Sequence, residues 1–188
     1  METKKSTKHT LQTIGKIAYV ISKIVFIICL VVASIGLTFM IAAAFVNWEW
    51  VRTGITDFAY NHDLPLSWNV GVLNVKNAEV LAVGMLLRAG SGAVLAYFLT
   101  KLFGNIKNEG TPFTDANVKL LMAVGITCLV EAFGVSLILS VLVHATNTAA
   151  VFNFNSDMPG LFIALLVFAL ALVFKYGVEL QKEADTTL

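Results

Sequence analysis

The chain has 188 residues, 57% of them hydrophobic and 13% charged, with a mean hydropathy of +0.80 and a formal net charge of +1. Ordinary soluble domains run about 45–50% apolar and about 25% charged, so the composition excludes a soluble globular domain and describes an integral membrane protein. The expected organisation is a single membrane domain, 1–188, with no second folded unit. Cys29 and Cys128 both fall inside apolar runs and read as small packing residues, because a quinone-linked thiol oxidoreductase would need paired cysteines near a membrane surface.

Met1 to Lys8 is polar and lysine-rich, the composition of a mobile tail. From His9 to Lys23 the pattern is amphipathic, with Leu11, Ile14, Ala18 and Ile21 near one helical face and Gln12, Lys16 and Lys23 on another. This predicts a surface lead-in helix whose lysines either touch anionic headgroups or form a solvated face. The first span covers 24–46 and is free of charge, long enough to cross a hydrocarbon core of about 30 Å. Basic residues, an apolar run and Ala42-Ala43-Ala44 together imitate a cleavable leader, but the run is too long for one and three spans follow.

The outer loop 47–77 opens with Trp48 and Trp50, placed as interfacial anchors, and is interrupted by Pro65. Leu66, Trp68, Val70, Val72 and Val75 then alternate, with Gly71 and Asn74 as turn residues, which predicts a short β-hairpin capping the bundle. Asp57, His62 and Asp63 lie close together but fall short of a metal site, so no metal is expected.

The second span covers 79–103, with Gly84, Arg88, Ser91, Gly92 and Leu95 on one face. The turn 104–115 contains Gly104, Asn105, Asn108, Gly110 and Pro112, and Thr114 or Asp115 is placed to cap the next helix. The third span covers 117–143, with Thr127, Glu131, Gly134 and Ile138 on one face. A second outer loop, 144–159, holds no Lys or Arg; the fourth span covers 160–176, and the tail 177–188 continues as a short charged helix.

Lysines settle the expected orientation. Lys4, Lys5, Lys8, Lys16, Lys23, Lys101, Lys107, Lys119, Lys175 and Lys182 lie on one side, and only Arg52 and Lys76 on the other. The positive-inside rule then puts both termini and the turn in the cytoplasm of a multi-pass protein of the bacterial inner membrane. The fold class is therefore an all-α, four-transmembrane-helix bundle.

Arg88 and Glu131 are the two charges that sit well inside apolar spans, away from their ends, and each costs about 2.5–3.5 kcal/mol on insertion scales. Their spans are sequential and antiparallel, so a salt bridge in the outer half of the bundle is expected, with Ser91 and Thr127 as neighbouring polar groups. Two readings stay open: a structural pair that fixes helix register, or the lining of a polar cavity for a ligand, an ion or a proton. His144, at the outer end of the third span, reads as an interfacial residue.

The turn LFGNIKNEGTPFTDANVKLL, from Leu102 to Leu121, and the tail VFKYGVELQKEADTTL, from Val173 to Leu188, resemble the YoaS-like family of bacterial membrane proteins, domain of unknown function 2975. The sharpest parts are Gly110-Thr111-Pro112-Phe113-Thr114 and the segment Gly177 to Thr187. The resemblance covers most of the chain and carries no assigned activity. It implies a membrane component that docks or sequesters a small Cro/CI-type helix-turn-helix regulator, since members often appear beside one. Pro112, Phe113, Thr114, Asp115, Glu179, Gln181 and Asp185 are the candidate docking residues; the bland alternative is that they shape a helical hairpin and a solvated helix end.

Three functions therefore compete: a regulatory or sensor protein, a small ion- or proton-coupled transporter using Arg88 and Glu131, and an immunity protein against a bacteriocin or toxin. No nucleophile–base constellation, phosphate-binding glycine loop or metal-ligand cluster is present in the sequence, so enzyme activity and cofactors are not expected. The lipid bilayer is the expected partner, with no direct nucleic-acid contact. The pairs Ala89/Ala93 and Gly92/Ala96 would serve packing within the bundle or a homo-oligomer.

Overall fold

The computed structural model describes residues 2–45, 78–146 and 158–186. The helices are α1 (Glu2–Phe45), α2 (Ala78–Glu109), α3 (Asp115–Leu129), α4 (Ser136–Thr146) and α5 (Met158–Thr186), with a π-helical turn at Val130–Val135 joining α3 to α4. Among the described residues there is no strand. Lys8–Thr38, Val83–Glu109, Asp115–Leu142 and Met158–Ala184 are long and apolar enough to cross a membrane. The architecture is thus that of an all-α, multi-pass membrane protein. The expected hairpin, Trp48, Trp50 and the Asp57, His62 and Asp63 group lie outside the described residues, as does most of the 144–159 loop.

The structure joins what the sequence divides. The expected tail and surface lead-in helix are one unbroken α1 with the first span, and α2 runs alongside the lead-in part. Gly15 makes the approach close: a Cβ there would come within 2.9 Å of the Lys107 backbone nitrogen. Farther along the seam, Tyr19 lies over Gly104, and Cys29 over Gly92. As α1 advances, its partner in α2 retreats, so the two are antiparallel.

α2 also continues past Phe103, through Gly104, Asn105 and Asn108, to Glu109. It stops at Gly110, whose φ of +70° is the left-handed conformation that glycine adopts without a Cβ penalty. The Gly110 N–H donates to the Ile106 carbonyl at 2.9 Å, closing the helix end. Thr114 then caps α3, its hydroxyl accepting from the Asn117 N–H at 3.2 Å.

The packing order is α1, α2, α3 with α4, then α5; the most extensive contacts are α1 with α2 and α3 with α5. Leu102, Leu121 and Ala171 form a small core, supported by Leu99, Ile106, Val167 and Phe174. Buried Ala93 and Ala96 and the close Gly92–Cys29 approach put the small residues of α2 to use inside the chain. Large apolar residues such as Ile28, Ile126, Phe162, Leu166 and Leu172 point outward, where the acyl chains of a bilayer would meet them. The Lys8 side chain beside Gly110 and the Lys182–Asp115 ion pair put the start of α1, the turn and the end of α5 at one end of the molecule.

Candidate functional site

Two polar constellations interrupt this apolar frame. The first is built where α2 crosses the π-helical turn. Arg88 lies on the order of 15 Å along α2 from its start and on the order of 20 Å before Lys101, near the middle of the span and slightly closer to the end away from the turn. Its Nη1 is 3.4 Å from Glu131 Oε1. The Ser91 hydroxyl is hydrogen-bonded to Glu131 Oε2 and lies 3.0 Å from the Arg88 carbonyl oxygen. It has one proton, so it donates to one of these acceptors at a time.

Glu131 is the second residue of the π turn. Such a turn inserts a residue into the helical repeat and is frequent at functional sites. The two charged side chains keep 26% and 31% of their surface exposed, while Arg88 Nε is buried with no hydrogen-bond partner among the described residues. The site is therefore neutral overall, with one unused donor. Thr127 is turned to its own helix, its hydroxyl donating to the Ala123 carbonyl at 2.8 Å. Both cysteines are free, and no metal-binding group of His, Cys, Asp or Glu occurs among the described residues.

The second constellation joins the turn to the last helix. The Phe113 ring lies over Gly177, where a Cβ would come within 2.5 Å of it, and meets Phe174 edge-on at a centroid distance of 5.4 Å. Asp115 pairs with Lys182 at 2.9 Å, fully in reach of solvent. Pro112 contributes its carbonyl, which accepts from Asn117 Nδ2 at 3.0 Å. Glu179 and Gln181 are exposed on α5, which also carries Asp185. Glu179 shares the Lys182 face and Gln181 the Gly177 face, at helical spacings of three and four.

Asn117 is the residue that sequence reasoning missed. It is 0% exposed, accepts from Asn105 Nδ2 at 2.9 Å and ties α2, the turn and α3 into one hydrogen-bonded joint. A signal existed: Asn117, Leu121 and Val124 share the buried face of α3, and an amide in such a stripe must find partners.

These features define a four-span, all-α membrane protein with a polar pair at mid-depth and a built surface at the turn end. Residues 42–188 match a family model described as Protein of unknown function (DUF2975), and the chain belongs to that family. The match takes in both constellations and leaves most of α1 outside it. No curated protein and no solved structure matches the chain.

Proposed function

We propose that the protein is the membrane half of a regulatory pair. Its turn-and-tail end lies in the bacterial cytoplasm and holds a small Cro/CI-type helix-turn-helix regulator. The observation that carries this reading is the joining of two segments more than sixty residues apart, Gly110 to Asp115 and Gly177 to Lys182, into a single surface. Phe113, Thr114 and Pro112 are the frame of that surface, and Asp115, Glu179, Gln181 and Lys182 are its accessible face.

The division decides the test. Thr114 or Pro112 substitutions would disturb the fold, so the informative variants are Glu179→Lys and Gln181→Arg. The full chain is co-expressed with the Cro/CI-type regulator encoded nearest to it and purified in mild detergent. Co-purification with the wild type, lost in the double variant at unchanged helicity, is the expected result. A regulator that stays in the soluble fraction, or binds both forms alike, rejects the proposal.

The π-turn site supports a second reading, proton- or ion-coupled transport. A partly exposed Arg88–Glu131 pair with an unused Arg88 Nε is a place where a polar species would be held. Loss of coupled uptake into proteoliposomes on Glu131→Gln, with folding intact, would favour it over the docking role.

A further inference from the structure

The α1–α2 seam carries a group of lysines that neither constellation uses. Lys107 stands 4.9 Å and Lys23 5.9 Å from the centroid of the same Tyr19 ring, and Lys101 stands 5.6 Å from that of Tyr97. Tyr97 in turn packs on Phe26 across the seam, with ring centroids 6.2 Å apart. Lys23 lies about one turn before Phe26 and Lys101 about one turn after Tyr97, so the antiparallel course brings both lysines to the turn-end side of that ring contact. The cation–π contacts hold the ammonium groups in place.

None of these three lysines pairs with a carboxylate among the described residues. Acidic residues of this end, among them Glu109, Asp115, Glu179 and Glu183, lie farther along their helices toward the tip. Exposed Ile24 and Val94 flank the group on the apolar side. From Lys101 back to the start of α2, and from Lys23 on to the end of α1, the helices run on the order of 33–35 Å, about one hydrocarbon thickness. The lysines therefore stand at headgroup level.

We infer that Lys23, Lys101 and Lys107, arranged around Tyr19 and Tyr97, form a seat for the phosphate of an anionic phospholipid whose acyl chains lie along the α1–α2 seam. Uncompensated cations meet the phosphate, the tyrosine rings hold those cations in place, and the flanking aliphatic residues take the chains. The lipid, rather than free phosphate, is the ligand because half of the seat is apolar.

The test uses the full chain in nanodiscs of phosphatidylcholine with a minor fraction of spin-labelled phosphatidylglycerol or spin-labelled phosphatidylcholine. The wild type should immobilise the glycerol lipid preferentially. The variant K23Q/K101Q/K107Q should lose that selectivity by roughly tenfold or more, K23R/K101R/K107R should keep it, and Lys182→Gln should leave it unchanged. Added salt should weaken it, and inorganic phosphate at equal ionic strength should add nothing further. Equal immobilisation of both lipids by the wild type, or unchanged selectivity in the glutamine variant, overturns the inference. Displacement by inorganic phosphate alone would assign the seat to a free anion and overturn it as well. If the glutamine triple variant loses helicity, Lys101→Gln alone, on an exposed face, carries the same comparison.

Discussion

At Glu131 two partners share the work of holding a carboxylate inside an apolar span. Arg88 supplies the opposite charge at 3.4 Å, and Ser91 supplies a hydroxyl proton. Removing Arg88 alone leaves an uncompensated charge, which costs about 3–5 kcal/mol, whereas an apolar pair of similar volume is often neutral. Arg88→Leu should thus lower the unfolding midpoint in mild detergent more than the R88L/E131L double variant does. A double variant at least as damaging as the single one would mean that the pair contributes beyond charge compensation. Ser91→Ala should cost far less, about 0.6 kcal/mol, the average for a hydrogen bond between membrane helices. Asn117 is a different case, because its amide has no charge but no solvent either. Asn117→Ala strips partners from Asn105 and from the Pro112 carbonyl. A loss of about 1–3 kcal/mol is expected, read as a lower denaturation midpoint.

Among the elements, the turn and α5 are bound by a fit of ring to glycine. A Cβ at position 177 would strike the Phe113 ring, so Gly177→Ala should loosen the joint between turn and tail. Faster amide exchange over 177–186 and faster tryptic cleavage at the exposed Lys182 would record this. Phe113→Leu, which shortens the striking side chain, should restore protection to the Gly177→Ala chain. Failure of that rescue would place the effect of Gly177→Ala in the helix itself rather than in the contact. This joint also shows what a sequence can and cannot disclose. The four apolar spans, a turn before α3 and a cap at Thr114 or Asp115 are local signals and were legible; which of the turn residues ends α2 was not. The continuation of α2 through Gly104 and Asn105 was not, because what sustains it comes from elsewhere: Tyr19 covers Gly104 and Asn117 bonds Asn105. The same holds for α1, whose polar first half reads as a surface helix until α2 is laid against it. At the polar site the charges could be named, and of the two expected neighbours Ser91 reaches Glu131 while Thr127 turns to its own helix. The π turn that carries Glu131 leaves no periodic mark, since a single inserted residue does not disturb an apolar run.

For the whole molecule, the decisive property is which way the turn end faces. The start of α1, the turn and the end of α5 lie together, so they share one side of the membrane whatever that side is. The lysines gather at this end: Lys16, Lys101, Lys107, Lys119 and Lys175 lie on four different helices and converge only in the fold. By the positive-inside rule such an end is expected in the cytoplasm, where the anionic lipids of that leaflet would attract it. With Cys29 and Cys128 replaced, a single cysteine at Asn108 or at Thr186 should react with a membrane-impermeant maleimide only after the cells are opened. A cysteine at Thr53, in the sequence between α1 and α2, should react in intact cells. Opposite labelling of Asn108 and Thr186 would contradict the packing of α5 against the turn. Labelling of both in intact cells would leave the fold standing but put the turn-and-tail surface outside, where no transcription regulator could reach it.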